Sequence, residues 1–223
     1  MQTCPHSAIH FHPHDLVWFL VGPHLLPKMT TPPWVRESLR EAPVAVVRRA
    51  PQDGRQIPIG IRGVSRDQRF AAAIPASSVV RRIPPERLLR ERCEPRRSRY
   101  AEIPALRAFQ IVLERWGRME HVWGPTGSVG FELGTGCEVV TPESDLDLII
   151  RVPNRLSRDD AKLMLAELSE IGASVDVQME TPDGVIAMKE YCSTEQGREI
   201  LLRTINGPIL VLDPWNTSRG EQR

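Results

Sequence analysis

The segment that most restricts how this chain can fold is Ser144-Asp145-Leu146-Asp147-Leu148-Ile149-Ile150. Two acids alternate with leucines and run into an apolar stretch. Successive strand side chains face opposite ways, so Asp145 and Asp147 share one face while Leu146 and Leu148 enter a core on the other. Neighbouring carboxylates repel unless a cation sits between them. Hard cations such as Mg²⁺ take such oxygens, usually alongside substrate phosphates. Upstream, a strand-like run from Met119 ends in Gly124-Pro-Thr-Gly-Ser128. A Gly127-Ser128 turn offers backbone N–H groups and a hydroxyl, which suit phosphate oxygens. A polar loop or short helix links it to the acids. Downstream, Ser157 starts a helix, with Asp159 and Asp160 complementing its dipole and Gly172 ending it. Leu163, Leu165, Ala166, Leu168 and Ile171 are its apolar residues. The strand at 174–179 then holds Asp176 between two valines. A strand reached through a crossover helix is expected beside the one before it. That placement adds a third carboxylate, and the set predicts metal-assisted transfer of a nucleotide-like group.

Length and charge set the frame around this centre. The 223 residues suffice for one large domain or two small ones, and 41% are apolar. Net charge is only +1, but it is unevenly spread. Residues 1–103 carry 17 Lys/Arg against 9 Asp/Glu, and residues 104–223 carry 12 against 19. A basic half beside an acidic half suggests two units, the basic one attracting phosphates or an acidic protein. Cys4, Cys93, Cys137 and Cys192 are widely separated, which supports neither a zinc ribbon nor a disulfide framework. Reduced thiols and a cytoplasmic location are expected. The apolar run Leu16–Val21 is too short to span a membrane, and no basic segment precedes it.

In chain order, His6, His10, His12 and His14 make a His-rich start, read as a loose terminal arm rather than a metal site. A short helix is expected over Trp34–Arg40 and a hairpin from Val44–Arg49 and Gln56–Val64. Arg66 and Arg69 place basic groups near that hairpin. Short apolar runs follow at Phe70–Ile74 and Val79–Arg82, then a helix start at Pro84-Pro85-Glu86. This defines a small basic N-terminal domain over residues 1–90. Residues 91–103 are charged and broken by proline, and are read as a linker. The main domain is assigned to 104–216, with a tail at 217–223. It opens with a helix whose core stripe is Leu106, Phe109, Val112, Leu113 and Trp116. Ile186–Tyr191 and Glu195–Arg203 are expected to be helical, and Pro208–Leu212 to be the last strand.

Each motif alone is weak, since short acid pairs and Gly-Ser turns are common. The order strand, Gly127-Ser128, Asp145-x-Asp147, helix, Asp176 is more specific, and it resembles the nucleotidyltransferase superfamily of the polymerase-beta type. The segments Trp123–Leu133, Ser144–Leu148, Val175–Pro182, Leu202–Thr204, Gly207-Pro208 and Asp213–Trp215 narrow the likeness. They resemble the malonate decarboxylase holo-acyl-carrier-protein synthases, which are phosphoribosyl-dephospho-CoA transferases. Pro13–Leu16, Val46–Ala50, Val64 and Arg66–Arg69 resemble the N-terminal part of that family.

The resemblance implies an α+β fold, a small mixed α/β domain followed by a nucleotidyltransferase-type mixed sheet. It implies a donor, 2'-(5''-triphosphoribosyl)-3'-dephospho-CoA, and an acceptor serine on the acyl carrier subunit of malonate decarboxylase, with pyrophosphate released. No nucleic acid or membrane partner is expected. Asp145 and Asp147 would hold Mg²⁺ in a two-metal site, and Asp176 would complete the site or accept the serine proton. Gly127 and Ser128 would hold the leaving phosphates, with Arg203 and Lys189 either further phosphate contacts or members of surface ion pairs. The alternatives are AMP or CMP transfer to a small molecule, RNA or protein, and a non-catalytic binding module on the same fold.

Overall fold

The structure is a computed structural model, and it describes residues 10–21, 31–63, 65 and 67–217. The sequence expectations at His6, Arg66 and 218–223 lie outside these residues. The chain divides into two units, Met1–Arg82 and Ile83–Arg223. Both are built on sheets, and the architecture is α+β.

The first unit follows its β-branched runs. Strands β1 (Leu16–Phe19), β2 (Val44–Val47), β3 (Gln56–Arg62), β4 (Arg69–Pro75) and β5 (Val79–Ile83) form one sheet in the order β4-β3-β2-β1-β5. Helix α1 (Pro33–Glu41) begins with proline in its first turn, where the missing N–H costs nothing. The alternation in β3 sends Ile57, Ile59 and Ile61 into a core with Val17, Phe19, Val35 and Leu39. The expected hairpin forms, with Val46 opposite Gly60 and Val47 opposite Ile59. Asp15 lies just before β1. It is fully buried, accepts the His12 backbone N–H and pairs with Arg82 at 2.6 Å.

The second unit starts earlier than the composition suggests. A short helical turn at Pro85–Arg87 leads into α2 (Leu88–Glu91), and α3 (Arg97–Glu102) follows. Residues 91–103 were expected as a linker. They carry α3 and are bound into this unit, because Arg99 forms an ion pair with Glu132 at 2.9 Å. Gly124 explains why 85–87 belongs here as well. A β-carbon at that position would fall 2.2 Å from the Pro85 carbonyl carbon, so glycine lets the Pro85 turn press against the sheet.

Helix α4 (Pro104–Trp116) buries Leu106, Phe109, Val112 and Trp116 at its predicted spacing. Then come β6 (Trp123–Pro125), α5 (Gly127–Thr135), β7 (Leu146–Arg151), α6 (Arg158–Ala166) and β8 (Val175–Glu180). After them follow β9 (Val185–Ala187), α7 (Met188–Ser193), β10 (Ile200–Thr204) and β11 (Gly207–Val211). The sheet order is β11-β10-β9-β8-β7-β6, and β7 and β8 are parallel while their neighbours run antiparallel. The crossover expected from the sequence is therefore present. Ser157 caps α6 by accepting the Asp160 N–H at 3.0 Å. That helix stops at Ala166, short of Gly172, and Leu163 faces outward at 66% exposure.

Two helix expectations at the C-terminal end are corrected. Ile186–Tyr191 is divided between β9 and α7, and Glu195–Arg203 holds a turn followed by β10. The cause is tertiary. Thr204 and Gly207 close a two-residue hairpin, which lays Leu202 opposite Ile209 and overrides the helical propensity of Glu199-Ile-Leu-Leu-Arg203. The outermost strand, β11, leaves Ile209 and Leu210 exposed and contains Pro208. Among the described residues, no helix is long and apolar enough to cross a membrane.

Candidate active site at the β7–β8 edge

The site grows from the pairing of β6, β7 and β8. Leu146, Leu148 and Val177 are fully buried on one face of the sheet. Asp147 faces the other way, and the parallel register sets it directly opposite Asp176. Asp145 precedes the strand by one residue and shares the parity of Asp147. All three acids are half-buried. Among the described residues, neither Asp145 nor Asp176 has a side chain engaged in a hydrogen bond or ion pair.

The Gly127-Ser128 turn is fitted to these acids. Thr126 donates its backbone N–H to the Asp147 carbonyl at 2.8 Å, which draws the start of α5 onto β7. Gly127 has φ +59°. A β-carbon there would stand 1.9 Å from Asp147 Oδ2. Left-handed backbone and the absence of room both demand glycine, so a carboxylate lies against the first residue of α5. Ser128 is the second residue of α5 and half-buried. It is not the helix cap, a position taken by Thr126 with no side-chain hydrogen bond. The first N–H groups of a helix lack intrahelical acceptors and favour anions.

The two basic candidates fall at different distances from the acids. Strand β9 runs back along β8 with Ala187 opposite Gln178, so the chain leaving it returns toward the Asp176 end. Lys189 follows there, exposed, as the second residue of α7. Arg203 is also exposed, but it opposes Val185, which opposes Glu180. Glu180 is four residues beyond Asp176, about 13 Å along the strand. The structure thus brings Lys189 to the acidic end and leaves Arg203 at the other. Arg151 is engaged by Glu180 and, at 3.4 Å, by Glu86.

Sequence reasoning overlooked Glu132. It is 2% exposed, in the second turn of α5. Its carboxylate receives Arg99 through two bonds of 2.9 Å and the Val139 and Val140 N–H groups at 2.8 Å each. Arg99 also donates to the Val140 carbonyl. The Glu132 carboxylate beside it holds the Arg99 guanidinium above its ordinary pKa. A fully satisfied buried pair of this kind resists loss of either member, at about 3–5 kcal/mol. The available signal was one acid inside the otherwise apolar Val129–Gly134 run.

The donor chemistry suits Mg²⁺. Among the described residues no three His, Cys, Asp or Glu side chains converge into a ready-made metal centre. Mg²⁺ does not need one, since it is bound through one or two carboxylates and completes its shell with waters and substrate phosphates. Asp147 opposite Asp176, with Gly127 against one Asp147 oxygen and Asp145 two residues earlier on the same parity, meet that requirement.

Comparison with known proteins adds the enzyme class. A family model described as the phosphoribosyl-dephospho-CoA transferase MdcG C-terminal domain matches residues 89–214, and the corresponding N-terminal domain model matches 12–85. A phosphoribosyl-dephospho-CoA transferase of Pseudomonas aeruginosa is 37% identical over 210 residues, covering 94% of this chain and 96% of its own length. One from Azotobacter vinelandii is 38% identical over 204 residues, covering 91% and 93%. No solved structure matches. These similarities make the chain a transferase. It belongs to the phosphoribosyl-dephospho-CoA transferase family, and both units are covered by that assignment.

Proposed function

We propose that this enzyme moves the phosphoribosyl-dephospho-CoA group from 2'-(5''-triphosphoribosyl)-3'-dephospho-CoA to a serine of the acyl carrier subunit of malonate decarboxylase. The observation that carries the chemistry is the seating of Gly127 against Asp147, with Asp176 opposite. A helix start suited to phosphate oxygens and a carboxylate pair suited to a hard cation meet at one point. The family membership supports the choice of donor.

In this reading the serine Oγ forms a bond to the α-phosphorus, and the bond from that phosphorus to the pyrophosphate oxygen breaks. Gly127 and Ser128 hold the leaving phosphates through the first turn of α5. Asp145 and Asp147 would hold Mg²⁺, with Asp176 either taking the serine proton or joining them and leaving that proton to solvent water. Bound Mg²⁺ would supply charge compensation for the attacking and leaving oxygens. Phosphoryl transfer depends mainly on positioning and electrostatics, so few protein groups are needed. Lys189, at the acidic end of the sheet, is a better placed phosphate contact than Arg203.

The test is incubation of the enzyme and donor with purified apo carrier subunit, read by intact mass. The expected result is a mass gain of one phosphoribosyl-dephospho-CoA group, with release of pyrophosphate and loss of the reaction in EDTA. Labelling from ATP or CTP, with none from the triphosphoribosyl donor, would overturn the substrate assignment.

A further inference from the structure

We propose that Glu132 is a positioning residue that sets Asp145 against the phosphate-binding turn. This inference rests on the reading of Asp145 and Gly127-Ser128 given above. Asp147 and Asp176 lie within paired strands, but Asp145 precedes β7 and ends a segment, 136–145, without regular structure. Its position therefore depends on what fixes that segment.

Glu132 fixes the segment near its middle. The backbone N–H groups of Val139 and Val140 both donate to one carboxylate oxygen, Oε2, at 2.8 Å. Val140 is 3% exposed, so the contact is shielded from water. The remainder is a tight turn, in which Ser144 N–H donates to the Thr141 carbonyl and Thr141 N–H donates to Ser144 Oγ, both at 3.0 Å. Leu146 N–H then donates to the carbonyl of Ser174, the residue before β8. Glu132 stands five residues after Gly127 on the same helix. Through it, the helix that presents Gly127 and Ser128 is fastened to the strand entry that presents Asp145.

A second closure completes the arrangement. Thr126 N–H bonds the Asp147 carbonyl at the neck of the same stretch. The chain from Thr126 to Asp147 is thus clasped twice, once at its neck and once across its middle. Arg99, reaching in from α3, neutralises the carboxylate that makes the inner clasp. Glu132 touches no candidate substrate group, so its effect on catalysis would be indirect, through geometry.

The test pairs kinetics with local hydrogen exchange. In Glu132→Ala, kcat for transfer to the carrier subunit should fall roughly ten- to a hundred-fold, the scale seen when groups orienting metal ligands are removed. The Mg²⁺ concentration for half-maximal rate should rise, while KM for the donor changes little. Amide exchange should quicken in peptides covering 136–146 and stay unchanged in β8. Glu132→Gln carries the same test if the alanine protein does not fold. Its amide oxygen still accepts from the 139–140 backbone, so kcat should lie between wild type and Glu132→Ala. A folded variant with wild-type kcat, wild-type Mg²⁺ requirement and no local change in exchange overturns the proposal. A uniform rise in exchange with unaltered kinetics does so too, since that is a purely structural role. Should the wild-type enzyme fail to use the triphosphoribosyl donor, the substrate assignment falls, and the exchange measurement alone still decides whether Glu132 holds the segment.

Discussion

Each unit of this chain sets two like charges opposite one another on adjacent strands. In β3–β4 the pair is Arg62 and Arg69; in β7–β8 it is Asp147 and Asp176. Like charges directly opposite destabilise a sheet. The two pairs are nevertheless not equivalent. Arginine carries its charge at the end of a long stem, and exposed Arg69 can turn its guanidinium into water away from the partly buried Arg62, so a shared register does not force the guanidiniums together. Aspartate has one carbon between backbone and charge and cannot diverge. One Asp147 oxygen is further confined by Gly127, at a distance no β-carbon would tolerate. The same backbone relation is therefore cheap for arginines and costly for aspartates. The costly pair is the better marker of chemistry.

The largest effect is expected at Asp147. Asp147→Asn should reduce transfer about a thousand-fold, on the scale of deleting a group that stabilises transition-state charge. Its stability to urea should stay level or rise by about 0.2–1 kcal/mol as repulsion is relieved. A variant that loses stability and keeps activity would make Asp147 a structural acid. Gly127→Ala comes next. It should lower transfer about a hundred-fold by displacing the acid, since misplacement by an ångström can have that effect. It should also destabilise by about 1–2 kcal/mol for the left-handed backbone, measured by the same denaturation.

Smaller effects are expected from the arginine pair. Removing both guanidiniums, Arg62→Ala with Arg69→Ala, should raise KM for donor or carrier several-fold at low salt, and the difference should vanish at about 1 M salt, where the screening length is about 3 Å. An effect as large as that of Asp147→Asn, or one indifferent to salt, would contradict the distinction between the pairs. The smallest effect concerns Tyr100, in the stretch that joined the second unit against expectation. Burial first, then its bond to Glu94, pushes the Tyr100 phenol up to about 12. The unfolded chain releases that proton near pH 10, so stability is unaffected below pH 10 and declines from there to about pH 12. Tyr100→Phe should flatten that decline in denaturation curves recorded between pH 9 and about pH 11, within the same window.

The acidic centre was legible because its signals are local. Alternation in Asp145–Ile150 and Val175–Met179 gave the strands, Ser157 gave the helix between them, and the crossover rule placed Asp176 beside Asp147. What escaped depended on partners distant in sequence. Glu132 is explained only by Arg99, thirty-three residues earlier, and by two backbone N–H groups beyond the helix end. The 91–103 stretch looked like a linker because its charges were read as solvated, whereas Arg99 is turned inward. Much of the basic character assigned to the first half belongs to the second unit. Met1–Arg82 carries eleven Lys/Arg and five Asp/Glu, and six further arginines lie between residues 83 and 103. The strand at Ile200–Thr204 escaped because its residues favour helix locally and were recruited by a hairpin.

Pro208 has a consequence for how this protein behaves in a crowded solution. The sheet ends at β11, whose Ile209 and Leu210 are exposed, and such a border invites a second chain to add itself and continue the ladder. Proline offers no N–H to an arriving strand, which is why it is tolerated at borders of this kind. A single ring at that border leaves an arriving strand one hydrogen bond short, which works against the ladder that its apolar rim would otherwise encourage.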